Sequence, residues 1–262
     1  MKNLLSRSAT GLLILLLSLV VIFSRSRLLL FVGVLGVTTI CLEEVFHAFY
    51  PYQATRYRYW GLALNLFANL AGYLSSLHLF LGVWAAALLL LFAASTFQPH
   101  KSLQHLMQVL FAVNYITLLF CFVYLFPRDK QTYLFLGILI AWGTDSCAYL
   151  IGSLFGKTHF TEISPHKTLE GCAGGVVGAL VLCGLAQPFF SAISLPAMLL
   201  LAAIGSVVAQ WGDVFASSLK RRSGIKDFSH ILRSHGGFVD RFDSLIFTIP
   251  YLWIALVLYL LK

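Results

Sequence analysis

LPAMLLLAAIGSVVAQW (Leu195–Trp211), DVFASSLKRRSGIKDFSHILRSHGGFVDRFDS (Asp213–Ser244) and LIFTIPYLWIALVLYLL (Leu245–Leu261) follow one another with only Gly212 between the first two. The outer stretches contain no Asp, Glu, Lys or Arg. The middle one contains Asp213, Asp227, Asp240 and Asp243 together with Lys220, Arg221, Arg222, Lys226, Arg233 and Arg241. Ionised side chains are expensive in hydrocarbon, so the outer stretches read as membrane spans and the middle one as a segment gathered at one membrane face.

The rest of the chain has the same character. Its 262 residues are 59% hydrophobic and only 11% charged, and the mean hydropathy is +0.86. A soluble domain carries about 25% charged residues. Composition therefore predicts an all-α, polytopic integral membrane protein and excludes a soluble globular domain. The formal charge of +8 does not call for nucleic acid, because most Lys and Arg residues flank apolar runs, where they anchor loops. The five cysteines (Cys41, Cys121, Cys147, Cys172 and Cys183) are scattered, mostly inside apolar runs, and read as small core residues rather than metal ligands or disulfides. The N-terminal Lys2, Arg7 and GLLILLLSLVVIF resemble a signal peptide, but no A-x-A-like site follows, which favours a retained first span.

About nine spans are expected: Thr10–Phe23, Leu28–Leu42, Trp60–Leu77, Leu79–Phe97, Val109–Phe126, Tyr133 to about Gly156, Gly171–Phe190, Leu195–Trp211 and Leu245–Leu261. EEVFHAFYPYQATRYRYW and QPHKSLQHLMQ read as loops, with Glu43 and Glu44 at a solvated loop end. With the N-terminus inside, Lys2, Arg7, Arg56, Arg58, Lys101, Lys157, Lys167 and the six of the 213–244 segment make 13 inside cations. Arg25, Arg27, Arg128, Lys130 and Lys262 make 5 outside. That bias places the 213–244 segment and the 157–170 loop together on the cytoplasmic side. The chain reads as a single membrane domain, 1–130 a scaffold and 131–262 the carrier of the chemistry.

Two constellations could hold that chemistry. Asp213, Ser217 and Lys220 stand at i, i+4 and i+7, so a helix continuing past Trp211 would present them on one face, with Arg221 beside them. Gly236-Gly237 lets backbone approach a ligand, and Asp240 and Asp243 at i, i+3 open the last helix, near His235 and Arg241. The second constellation is DSCAYLIGSLFGKTHFTEISPHKTLEGCAGG, Asp145–Gly175. Asp145, Tyr149, Gly152 and Gly156 form a helix stripe, and Ser164, Lys167 and Thr168 stand on a turn. Converging carboxylates among cations fit a surface salt-bridge network that holds anionic lipid. They equally fit metal-assisted phosphoryl or nucleotidyl transfer, in which carboxylates hold Mg²⁺ and cations take polyphosphate. Asn65, Asn69 and Asn114 could line a cavity or hydrogen-bond between helices.

SSLKRRSGIKDFSHILRSHGGFVDRFD (Ser217–Asp243), preceded by DSCAYLIGSLFGK (Asp145–Lys157) and SPHKTLEGCAGG (Ser164–Gly175), resembles the signature of the phosphatidate cytidylyltransferase (CDP-diacylglycerol synthase) family. The likeness is carried by the C-terminal half. It departs at Arg233-Ser234, where the family usually has Pro-Gly before His-Gly-Gly, which loses a rigid turn and adds a cation.

The resemblance implies that CTP and phosphatidate become CDP-diacylglycerol and pyrophosphate in phospholipid biosynthesis at a bacterial inner membrane. It implies Asp213, Asp240 and Asp243 as catalytic metal ligands with Asp145 in support, Mg²⁺ as the cofactor, and room for a second cation. Lys220 would serve catalysis. Ser217, Arg221, Lys226, Asp227, His235, Gly236, Gly237 and Arg241 would bind substrate, and Ser164, Lys167 and Thr168 would complete a phosphate clamp. A homodimer is also implied. Two other readings stand beside it: a CTP-dependent polyprenol or phytol kinase, against which the full Lys-Arg to Asp-Arg-Phe-Asp run argues, and an ion-coupled transporter. Charge gathered at one face and the lack of an inverted repeat argue against the transporter.

Overall fold

The computed structural model describes residues 2–49, 55–74, 77–96, 100–165, 167–232 and 236–260. Among them the chain is helical, with one isolated bridge, His159 to Thr168, and no strand. A helix satisfies its backbone hydrogen bonds within the segment, which is what an apolar chain in lipid requires. The helices are α1 (Lys2–Phe23), α2 (Arg27–Phe49), α3 (Thr55–Tyr73), α4 (Leu77–Thr96), α5 (His100–Val113), α6 (Leu134–Phe155), α7 (Leu169–Ala186), α8 (Leu195–Arg222) and α9 (Val239–Leu260). After α5 the chain continues through a π turn at Asn114–Leu118, a single α turn at Leu119–Cys121 and a 3₁₀ turn at Phe122–Leu125. Asn114 accompanies the π turn by donating Nδ2 to the Leu110 carbonyl at 2.8 Å, which competes with the regular ladder.

Among the described residues six segments are long and apolar enough to cross a membrane: Arg27–Phe49, His105–Leu125, Arg128–Phe155, Leu169–Phe190, Leu195–Arg222 and Val239–Tyr259. The protein is a multi-pass membrane protein. The first and fourth of the nine expected spans fall in helices whose described apolar parts, Gly11–Phe23 and His78–Leu90, are short of the ~20 residues a bilayer asks for. The third falls in α3, which opens on polar Thr55-Arg56-Tyr57-Arg58. Two expected loops are also corrected. Residues 100–108 are already helical, and α2 runs through Glu43 and Glu44 to Phe49, so neither glutamate is a loop end.

The chain forms two compact units, one of Met1–Arg128 with Asp227–Val239, the other of Asp129–Lys226 with Asp240–Lys262. The first unit is tied by buried amides. Thr117 donates its hydroxyl to Asn65 Oδ1 at 2.8 Å, and Tyr124 donates to Asn69 Oδ1 at 2.9 Å. Asn65 and Asn69 donate to Thr39 and Thr38, so both asparagines bond between helices, and each buried amide has its partner. Glu43 pairs with Arg58 at 2.5 Å.

In the second unit α6 and α7 cross closely because glycines face each other. A Cβ on Gly152 would come within 3.5 Å of the Gly171 Cα, and one on Gly171 within 2.8 Å of the Ala148 carbonyl. Such near contact of backbones is how helices pack in lipid, where no hydrophobic force drives them together. α8 and α9 meet in the same way, since a Cβ on Gly212 would lie 2.7 Å from the Asp243 carbonyl.

Candidate active site

α8 continues past Trp211 for three further turns, as the Asp213–Lys220 spacing requires, and stops at a left-handed Gly224 with φ 70°. There the Ser223 amide donates to the Leu219 carbonyl at 3.0 Å and the Ile225 amide to the Lys220 carbonyl at 2.9 Å. A glycine at this position releases the helix without steric cost. Lys220, Arg221 and Arg222 thus occupy the last turn, where the helix dipole favours cations. Arg221 leans on the neighbouring loop through a long contact, 3.5 Å from Nε to the Ile163 carbonyl.

That loop is a small closed structure. Phe160 and Lys167 are joined by a 2.9 Å backbone bond, and the Lys167 amide donates to the Ser164 carbonyl at 3.0 Å. Glu170 accepts from the Lys157 amide and from the amide and hydroxyl of Thr158. Thr168 caps α7 by accepting from the Gly171 amide at 3.1 Å. With its backbone held, Lys167 places Nζ 2.5 Å from Asp213 Oδ2.

α9 begins at Val239 and carries Asp240 and Asp243 in its first turns. Lys220 Nζ stands 2.6 Å from Asp240 Oδ1, and the two side chains are only 12% and 7% exposed. Asp243 is buried, and its Oδ1 accepts from the Ser244 amide at 2.7 Å. The Ser244 hydroxyl lies 2.8 Å from Asp145 Oδ2 and 3.3 Å from Asp243 Oδ1, so one hydroxyl joins two carboxylates. The carboxylates of Asp145, Asp213 and Asp243 stand close enough to repel one another. Lys167 and Arg241 offset this at Asp145, as Lys220 does at Asp243. Asp145, Lys167, Thr168 and Asp213 line a cavity of about 430 Å³ between α6, α7 and α8, together with Gln210.

The second unit therefore brings together Asp145, Lys167, Thr168, Asp213, Lys220, Asp240, Arg241 and Asp243. Ser217 is buried on α8, Ser164 stands in the turn before Lys167, and Lys226 is exposed after Gly224. Asp227, Gly236 and Gly237 belong to the first unit instead. His235, with the departing Arg233-Ser234 pair, lies outside the described residues.

Two residues, one in each unit, were given no part by the sequence. Ser244 closed the charged stretch and had no assigned part. Glu44, read as solvated, is 1% exposed and accepts hydrogen bonds from Ser229, Phe238 and Val239.

Among the described residues no three His, Cys, Asp or Glu side chains converge as an all-protein metal cage. Magnesium does not need one. It binds through one or two carboxylates and fills the remaining positions with water and substrate phosphate oxygens. Hard carboxylate oxygens that repel one another until a cation arrives are a donor set that fits it.

The chain belongs to the cytidylyltransferase family, whose model matches residues 5–259. Its relatives include proteins named phosphatidate cytidylyltransferase. The Bacillus subtilis (strain 168) protein is 44% identical over 131 residues, 49% of this chain and 48% of the relative. Those of Staphylococcus haemolyticus (strain JCSC1435) and Staphylococcus aureus (strain COL) are each 39% identical over 151 residues, 56% of this chain and 58% of the relative. The chain thus spans about half the length of the curated relatives it matches.

Proposed function

We propose that this protein is a phosphatidate cytidylyltransferase that converts CTP and phosphatidate to CDP-diacylglycerol and pyrophosphate at the cytoplasmic face of a bacterial inner membrane. The observation that carries the reading is the meeting of Asp145, Asp213 and Asp243 with Lys167, Lys220 and Arg241 beside an open cavity. The names of the relatives support the same activity.

In this reaction a phosphatidate phosphate oxygen attacks the α-phosphorus of CTP. A new P–O bond forms, the bond to the β-phosphate breaks, and its electron pair leaves with pyrophosphate. The attacking group is already an anion at neutral pH, so no side chain has to take its proton. What the chain must supply is placement and charge. Lys167 and Arg241, which already face carboxylates across the site, bind phosphate oxygens. Arg221, in the last turn of α8, and Lys226, beyond its end, are exposed and take the outer phosphates or the lipid headgroup. Asp240 fixes Lys220 through its 2.6 Å bond, which holds the ammonium in one place with little exposure to water. Asp213 and Asp243, with Asp145 supporting them, hold Mg²⁺. When bound, the ion neutralises charge on the transferring phosphoryl group and on the leaving pyrophosphate.

The test is direct. Purified protein in mixed micelles receives phosphatidate, CTP labelled at the α-phosphate, and Mg²⁺, with EDTA as control. Label in the lipid fraction with release of pyrophosphate is expected, and EDTA abolishes it. Release of CDP with a newly phosphorylated lipid alcohol would identify γ-phosphoryl transfer instead. Ion flux without CTP consumption would exclude both.

A further inference from the structure

We infer that Glu44, on α2, is the positioning residue for the acidic start of α9, an inference that rests on the proposed reaction only for its consequence in turnover. The geometry stands independently. Glu44 is 1% exposed, and both of its carboxylate oxygens are used. Oε1 accepts from the Ser229 hydroxyl and, at 2.8 Å, from the Phe238 amide, while Oε2 accepts from the Val239 amide at 2.8 Å. A carboxylate buried in an apolar helix is costly unless it is fully hydrogen-bonded, and bonds to an ionised acceptor are about twice as strong as neutral ones.

The donors identify its task. Phe238 and Val239 are the residues at which α9 begins, and the first amides of a helix have no partner within it. Helix starts are usually capped by a side chain from the same segment. Here the cap comes from a residue 195 positions earlier in the sequence. Asp240 is the next residue after Val239, and Asp243 is one turn further on. The carboxylate that anchors Phe238 and Val239 therefore sets the position and rotation from which the two aspartates extend.

Gly237 completes the fit. A Cβ there would sit 2.6 Å from Glu44 Oε2 and 2.9 Å from Oε1 and Cδ. Gly236 has a left-handed φ of 72°, whereas Gly237 does not, so the need for glycine at 237 comes from the carboxylate packed against it and not from backbone conformation. The Gly-Gly pair, read from the sequence as a place for backbone to approach a ligand, approaches the chain's own glutamate at its second member.

Glu44→Gln keeps the side-chain volume but replaces one acceptor oxygen with an NH₂ donor, so an amide of the pair at 238 and 239 loses its partner. Two measurements test the inference on the full-length protein in detergent. The first is hydrogen–deuterium exchange without nucleotide, over peptides covering 229–239 and 240–244. The second is the rate of CTP-dependent lipid labelling. Exchange is expected to quicken in both peptides, with kcat down by ~10- to 100-fold, the usual effect of removing a residue that orients a site group.

A second pair of variants covers the case in which Glu44→Gln does not fold. Gly237→Ala collides with the carboxylate and lowers kcat, and Glu44→Asp in the same chain withdraws the carboxylate by one methylene and restores part of the loss. Unchanged exchange in Glu44→Gln overturns the inference, as does faster exchange confined to 229–239, or faster exchange with wild-type kcat. Failure of the wild-type protein to label lipid sinks the proposed reaction and leaves the exchange of 240–244 to judge the positioning.

Discussion

The bond between Lys220 and Asp240 gives the most quantitative prediction. At 2.6 Å, two unit charges attract by about 2 kcal/mol at the permittivity of water and about 6 kcal/mol at an effective permittivity of 20. Side-chain exposures of 12% and 7% place the pair well inside that range rather than at the surface value of ~0–1 kcal/mol. Loss of hydration opposes the attraction, and removal of one partner from a buried pair typically costs about 3–5 kcal/mol because the other charge remains. Lys220→Met and Asp240→Asn should therefore each destabilise the protein by about 3 kcal/mol. The double variant should lose much less than their sum, giving a coupling energy of about 2–4 kcal/mol. Unfolding in mixed micelles of dodecyl maltoside and SDS, followed by tryptophan fluorescence, reads all four corners of the cycle. A coupling below ~0.5 kcal/mol would be that of an exposed pair and would refute the assignment of Asp240 to Lys220.

The remaining predictions use the same protein. Asp243→Asn should abolish CTP-dependent labelling while stability is kept or raised, because it removes one of three carboxylates that repel one another; wild-type activity in this variant would sink the metal assignment. The Mg²⁺ concentration for half-maximal rate should rise more in Asp213→Asn than in Asp240→Asn, since Asp213 lines the cavity and Asp240 does not, and a titration of initial rates decides it. Gly212→Ala places a Cβ 2.7 Å from the Asp243 carbonyl and 2.9 Å from the Phe247 ring, and should cost about 1–3 kcal/mol in the micelle assay. Thr117→Val removes a buried donor to Asn65 and should cost about 0.6–2 kcal/mol, with no effect on the Mg²⁺ titration.

Much of the second unit could be read in the sequence because its logic is local. The i, i+4, i+7 spacing of Asp213, Ser217 and Lys220 says what a helix will present, and α8 continues far enough to present it. The small residues of 152–175 announce a close helix crossing, and α6 and α7 make one. Pairing was not legible. Nothing in the spacing says that Lys220 takes Asp240 while Lys167 takes Asp213, since each cation had several carboxylates in prospect. Glu44 was missed for a deeper reason. Its partners are mainly backbone amides, which nearly every residue possesses and no letter of the sequence distinguishes. Hydropathy placed its apolar runs on helices, and six of the described segments are long and apolar enough to cross a membrane.

The Glu44 cap has a consequence for the order in which the chain is made. Ser229 and Phe238 are 185 and 194 residues from Glu44, so these contacts close one of the longest loops available to the chain. Such contacts form late, after the entropy of the intervening chain has been overcome. During synthesis α2 emerges with a carboxylate that has no amides to meet, and it must wait for nearly the whole remaining polypeptide. A fragment begun at Asp129 would carry every motif of the signature and still lack the acceptor that caps its final helix. Coexpression with a 1–128 fragment should then restore what the C-terminal piece cannot assemble alone.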